Sequence, residues 1–303
     1  MRKTQRLTIV YLTFREKPRF EWFASSLERE LRRTPAFDRR DLQVLVIDGR
    51  YPRKLEAPFA FEHHAPKPTV WQGPHRLTKR DYFCAANSRN TALALTRHEH
   101  VVFVDDLSVL LPGWLKAHLH AAEHKYVLCC LMCKRGNLEV DDTGAVLRAD
   151  EIEFGTDPRI AQLEDCDVSR CEGGALYGGT FSLPTERALR VNGQDEIYDA
   201  IGAEDCDLGV RLERDGALMI INRTCRTFED ADGHKQSLPR MIGADDLCRV
   251  LFDRLRQEKE RIMPLGNAFD LRALRDAVLA GEPFLVPVGP ETYWVDGSSL
   301  SDL

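Results

Sequence analysis

Hydrophobic positions recur along the first half of the chain in two alternating periods. Leu7 to Phe14 is a nearly continuous apolar run, the pattern of a strand buried on both faces. Phe20 to Arg33 then places Phe20, Phe23, Leu27 and Leu31 on one helical face. Leu42 to Ile47 predicts a second buried strand, closed by Asp48-Gly49, a carboxylate and a turn at its C-terminal end. Arg53 to Pro74, with its prolines and His63-His64, reads as an irregular surface loop. A helix is predicted from Asp81 to about Arg97, followed by a strand, Val101 to Val104, that stops at Asp105-Asp106. Leu111-Pro112-Gly113-Trp114-Leu115 opens the next helix, with Trp114 as a core residue. Two αβ repeats ending in polar residues predict a nucleotide-binding half, because ligands of open α/β sheets collect outside the carboxyl ends of the strands.

The second half is less regular. Tyr126 to Cys133 and Ala145 to Ala149 predict strands, whereas Asp150 to Arg170 shows no clear period. Asp205 to Arg214 reads as a helix stopped at Gly216, with Asp207 on its solvated side, and Ala217 to Ile221 as a strand. Two charged amphipathic helices, about Ala244 to Arg261 and Asp270 to Ala280, complete the chain. The division expected is one α/β catalytic domain over 1–240, with a nucleotide half over 1–115 and an acceptor half over 116–240, and a C-terminal helical extension over 241–303.

Composition narrows the classes of function. The 303 residues are 43% hydrophobic, enough for a real core, and the formal charge of −6 gives no global attraction to nucleic acid or anionic membrane. Several of the nine cysteines (Cys129, Cys130, Cys206, Cys248) sit in apolar or helical-looking segments and read as reduced core thiols. Cys130 and Cys133 have redox or zinc spacing, but no second pair and no nearby histidine tract accompanies them, so they are assigned to the core. The basic N-terminus is followed by an apolar stretch interrupted at Arg15-Glu16-Lys17, too early for a signal peptide or membrane span. The expectation is a cytoplasmic protein without a membrane span.

Candidate chemistry lies in the order of several polar motifs. Asn87-Ser88-Arg89-Asn90 precedes Asp105-Asp106. Then come Tyr177-Gly178-Gly179-Thr180-Phe181-Ser182, Val191-Asn192-Gly193, and Gly202-Ala203-Glu204-Asp205-Cys206-Asp207-Leu208 with Arg211-Leu212. Over about residues 7 to 235 this order resembles the inverting β-1,4-galactosyltransferases and the related family 2 glycosyltransferases. The resemblance implies the glycosyltransferase A-type fold, a Rossmann-like mixed sheet flanked by helices and fused to an acceptor-binding half. It also implies a nucleotide-sugar donor, UDP-linked, and a manganese or magnesium ion.

Carried over by position, Asp106 with Asp105 matches the acidic motif that bridges cation and diphosphate, although Leu107 stands where the family has a further acid. A hard cation held by one or two carboxylates plus substrate phosphates still fits that pattern. His234 falls where the family places a metal-binding histidine, and imidazole favours manganese over magnesium. Asp205 matches the general base on the acceptor hydroxyl, and Glu204 the neighbour that holds the acceptor. Thr13, Phe14 and Arg15 after strand one, and Asp48 after strand two, match the ends that receive uracil and ribose. Asp48 is placed to accept from uracil N3, and Arg15 and Arg89 to reach ribose or diphosphate oxygens. Gly178 and Gly179 read as a loop that lets the sugar approach closely.

Three functions are open on this reading. The first is a metal-dependent, inverting glycosyltransferase acting on a glycan. The second is a phage-type transferase acting on a hydroxymethylated DNA base, for which Lys67, His75, Arg76, Lys79 and Arg80 with Trp71 and Tyr82 would supply a phosphate-contacting surface. The third is a nucleotide-sugar-binding protein without catalysis, suggested by Leu107 and opposed by Glu204-Asp205.

Overall fold

Residues 5–69, 84–163, 166–234 and 244–284 are described by a computed structural model of the chain. Its strands are β1 (Leu7–Thr13), β2 (Leu42–Asp48), β3 (Glu62–His64), β4 (His100–Asp105), β5 (Ser108–Leu110), β6 (Val127–Val140), β7 (Val146–Asp150), β8 (Val168–Arg170), β9 (Thr180–Pro184) and β10 (Met219–Asp230). The helices are α1 (Phe20–Arg33), α2 (Ala85–Leu95), α3 (Trp114–His124), α4 (Thr185–Arg190), α5 (Glu204–Arg214), α6 (Ala231–His234), α7 (Ala244–Gln257) and α8 (Leu271–Leu279).

Side chains on a strand point alternately to its two faces, and the central strands are apolar on both. In β1, Val10 and Leu12 enter one core with Ala92 to Ala94 of α2, Leu208 and Leu212 of α5, and Leu271 and Leu274 of α8. Leu7, Ile9 and Tyr11 enter the other with Phe20, Phe23, Leu27 and Leu31 of α1 and Trp114 of α3. The result is a three-layer α/β sandwich. Its ten-stranded sheet runs β3-β2-β1-β4-β9-β6-β10-β5, with β7 beside β6 and β8 beside β10. β9 runs antiparallel to both β4 and β6, while β3, β2, β1 and β4 are parallel to one another, as are β6 and β10.

Several expectations need correction. The 53–74 segment is not all irregular surface: β3 pairs with β2, and Lys67 and Thr69 are buried, because both bond Glu196. β6 and β10 run well past the predicted ends: β10 continues as the parallel partner of β6 beyond a register shift between Asn222 and Arg226, and β6 continues past Arg135 as the antiparallel partner of β7. Asp207 is buried, with Arg211 Nε at 2.6 Å and Arg261 Nη2 at 3.3 Å. The C-terminal helices pack into the body: Leu247 and Leu251 of α7 join Ile197, Tyr198 and Ile201. Among the described residues no helix is long and apolar enough to cross a membrane.

Candidate active site

A cleft of about 410 Å³ opens at the C-terminal ends of β1 and β4, where the topology of open α/β sheets places ligands. Its walls include Phe14, Arg15, Asp105, Asp106, Gly178, Gly179, Glu204 and Asp205. Tyr177 lines it too, as do Met132, Lys134 and Glu229, which the sequence reading did not single out. Glu229 escapes local pattern because it lies near the far end of β10, brought beside the β4 acids by pairing with Ser108 of β5.

On the β4 side, Asp106 Oδ2 accepts from Thr13 Oγ1 at 2.8 Å and Oδ1 from Arg15 Nε at 2.9 Å. Arg15 Nη1 donates to Gly233 O at 3.1 Å, so the backbone just before His234 lies over the Asp106 turn. His234 ends α6, and its side chain lies outside the described residues. Leu107, at the position of the missing acid, is buried with φ 63°, its N–H donating to Pro18 O and its carbonyl accepting from Asp230 N. A Cβ on Gly233 would stand 2.9 Å from Leu107 Cδ1, so this leucine packs the loop that carries His234.

On the α5 side, Asp205 and Glu204 open the helix and are both mostly buried. Burial, then the charge of Glu204, pushes Asp205 up to about 6, against the opposing pull of Arg89 and the amides of Cys206 and Gly178. Glu204 Oε1 is bound by Arg89 Nη1 at 2.8 Å. Arg89 also gives Nη2 to Asp105 Oδ1 at 2.9 Å and to Gly178 O at 2.8 Å. It is fully enclosed, so it braces the two acidic sides from beneath instead of reaching ribose or diphosphate. Asp105 is pushed up to about 8, by burial first, with Arg89 opposing and Glu229, Asp106 and Glu204 adding to the rise. Asp106 is raised by burial as well, again with Glu229 contributing.

Asp48 departs from its expected role. It is buried, and its two oxygens accept from Arg50 N, from Arg53 Nε and Nη2, and bond His63 Nε2, which leaves no lone pair for a base. His63 is correspondingly half-buried rather than a free surface side chain. Phe14 is the aromatic wall here, held where a Cβ on Gly49 would come 2.1 Å from its ring. Gly178 and Gly179 are glycines for a different reason than sugar approach alone. A Cβ would lie 2.9 Å from Asp205 Oδ2 at the first and 2.2 Å from Met132 Sδ at the second. Lys67 makes a buried ion pair with Glu196 at 2.6 Å, so it is no phosphate contact, and Trp71, His75, Arg76, Lys79, Arg80 and Tyr82 lie outside the described residues.

Formally the cleft carries seven acids (Asp105, Asp106, Asp199, Glu204, Asp205, Glu229, Asp245) against two bases, Arg15 and Lys134. Such crowding adds to the burial that raises the β4 carboxylates, and it fits the addition of positive charge. A hard cation held by one or two carboxylates plus ligand oxygens suits Asp106 and Asp105.

No protein-family model and no curated protein sequence matches this chain. Among solved structures, GalNAc-T7 with UDP, GalNAc and Mn2+ superposes with a TM-score of 0.53 at 12% identity, over 91% of this chain and 55% of that one. The fold is the glycosyltransferase A type. S. aureus TarS 1–349 with UDP gives a TM-score of 0.48 at 12% identity, over 75% of this chain and 61% of its own. The chain therefore spans between half and two thirds of the length of these neighbours.

Proposed function

We propose that the protein is a nucleotide-sugar glycosyltransferase, related in mechanism to the family 2 and β-1,4-galactosyltransferase type. The observation that carries this reading is the division of one cleft between two acidic sides: Asp105-Asp106 at the strand end, and Glu204-Asp205 at the helix start with Arg89 between them. With Glu204 held by the guanidinium, Asp205 is the carboxylate left to act as base, and a value near 6 suits an acceptor of protons at neutral pH. Asp205 takes the acceptor hydroxyl proton as that oxygen bonds the anomeric carbon. The bond from carbon to diphosphate breaks on the opposite face, which inverts the centre. Phe14 walls the base, and Arg15 and Lys134 face the diphosphate. Asp106 and Asp105, with His234 from the α6 loop, would hold manganese or magnesium, which supplies charge neutralisation to the departing diphosphate.

UDP is the proposed nucleotide and a glycan hydroxyl the proposed acceptor. A modified DNA base is less favoured, because Lys67 is withdrawn from the proposed phosphate surface. A second reading rests on Arg15, whose Nε already neutralises Asp106 at 2.9 Å: transfer would then proceed without a metal. A panel of nucleotide sugars assayed for hydrolysis and transfer, with and without manganese, tests both. UDP-sugar turnover that falls with EDTA and returns with manganese is the expected result. EDTA-insensitive turnover favours the Arg15 reading, and no turnover of any donor contradicts the proposal.

A further inference from the structure

We propose a second metal site, apart from the cleft: His118, Cys130 and Cys225 form a buried centre for a thiophilic d10 cation, zinc(II) or copper(I). The three residues come from α3, β6 and the irregular stretch of β10 between Asn222 and Arg226. All are buried, their donor atoms lie within 4.8 Å of one another, and none lines the cleft. Cys130 thus finds its partners in His118, twelve residues before it, and in the distant Cys225, and not in Cys133.

The distances favour a shared ion over incidental packing. His118 Nε2 stands 3.5 Å from each sulfur. With metal bonds of about 2.0–2.1 Å to nitrogen and about 2.3 Å to sulfur, a tetrahedral N···S edge is about 3.5 Å. Only the S···S edge must lengthen, from 2.9 Å to about 3.8 Å. The imidazole is also oriented for the task. His118 Nδ1 lies 2.8 Å from Ser182 Oγ, and a proton donated along that line leaves the Nε2 lone pair facing the two thiols. Thiolate sulfur and imidazole select zinc and copper(I) over the hard cations that suit the cleft. Binding converts two thiols to thiolates and releases two protons to solvent. Copper(I) is satisfied by three such ligands, whereas zinc(II) takes a fourth from water. The ion would pin α3 and the irregular stretch of β10 to β6.

The test uses the full chain, expressed with zinc or with copper in the medium, dialysed, and analysed for metal by mass spectrometry. About one equivalent per chain should survive dialysis, and the richer arm names the ion. Protein reconstituted with cobalt(II) should show sulfur-to-cobalt charge-transfer absorption, which the all-oxygen cleft acids cannot produce. Cys225→Ser and Cys130→Ser should each weaken metal retention about tenfold or more. Cys171→Ser, from the separate Cys129–Cys171 pair at 3.7 Å, should leave it unchanged. Since a ligand variant can fail to fold, the parent protein and the Cys171→Ser variant are compared: the cobalt band should be present in both. Parent protein that takes up no ion and shows no sulfur-to-cobalt band overturns the proposal, as does a peptide map of the unreduced protein in which Cys130 and Cys225 are joined as a disulfide.

Discussion

At the residue scale the account turns on Asp205, whose carboxyl is lifted to about 6 by burial and by Glu204. A general base works when deprotonated, so turnover should rise with pH through about 6 and level off above it. Glu204→Gln removes the like charge and frees more of Arg89's field for Asp205, so the acid limb of its pH profile should move below that of the parent. A limb that stays in place would mean that another group titrates. His234 belongs to the same scale. Its backbone follows Gly233, whose carbonyl takes Arg15, the partner of Asp106. If His234 is a ligand, His234→Ala should shift the manganese dependence of transfer to higher concentration with little change in melting temperature. Superimposable manganese curves would remove it from the site. Some of these positions were readable in advance and others were not. Asp106 and Asp205 stand at a strand end and a helix start, which local patterns mark. Asp48 also stands at a strand end, yet Arg50, Arg53 and His63 saturate it; the first two lie close in sequence, but no period marks the turn that brings Arg53 and β3 back onto it.

At the element scale, α2 carries the least expected design. Asn87, Ser88, Arg89, Asn90 and Thr91 are all buried, so the first half of this helix packs by polar contacts, while Ala92 to Ala94 enter the core. Asp199 accepts from the amides of Ala86 and Asn87 at its start, a carboxyl placed where helix N–H groups have no partner. Asn90 bonds the backbone of Gln194 in both directions, and Glu196 joins Lys67, Thr69 and Asn90. Arg89 is the strut of this arrangement. Arg89→Met would leave Glu204 and Asp105 buried without their cation and should cost about 3–5 kcal/mol of stability, together with the activity. Chemical denaturation measures it, and a loss below about 1 kcal/mol would place Arg89 outside this role. The helix α1 and strands β1, β2 and β4 were legible because their periods are local. The far halves of β6 and β10 were not. Their residues alternate polar and apolar irregularly: Leu131 to Arg135 and Arg226 to Asp230 are fixed by pairing with each other across the chain, and the end of β6 from Gly136 to Val140 by pairing with β7.

At the scale of the whole molecule, the C-terminal segment braces the wall that carries Glu204 and Asp205. Leu265 and Gly266 donate backbone N–H groups to Asp195, Asn267 bonds Asn192, Gln194 and Glu196, and Arg261 reaches Asp207. Its helices were visible as amphipathic periods, but a period shows only that a face is apolar and not which surface covers it. The body in turn presents one cleft whose two acidic sides are assigned different work, donor binding at Asp106 and acceptor activation at Asp205. The most direct test measures donor affinity by calorimetric titration of UDP with manganese, and transfer rate by product formation, in Asp106→Ala and Asp205→Asn alongside the parent. Asp205→Asn should lose about 10²–10⁴-fold in rate, the range for a positioned acid or base, with donor affinity nearly unchanged, while Asp106→Ala should lose donor affinity itself. An Asp205→Asn protein that transfers sugar at the parental rate, or that loses donor affinity and rate together, would contradict that division.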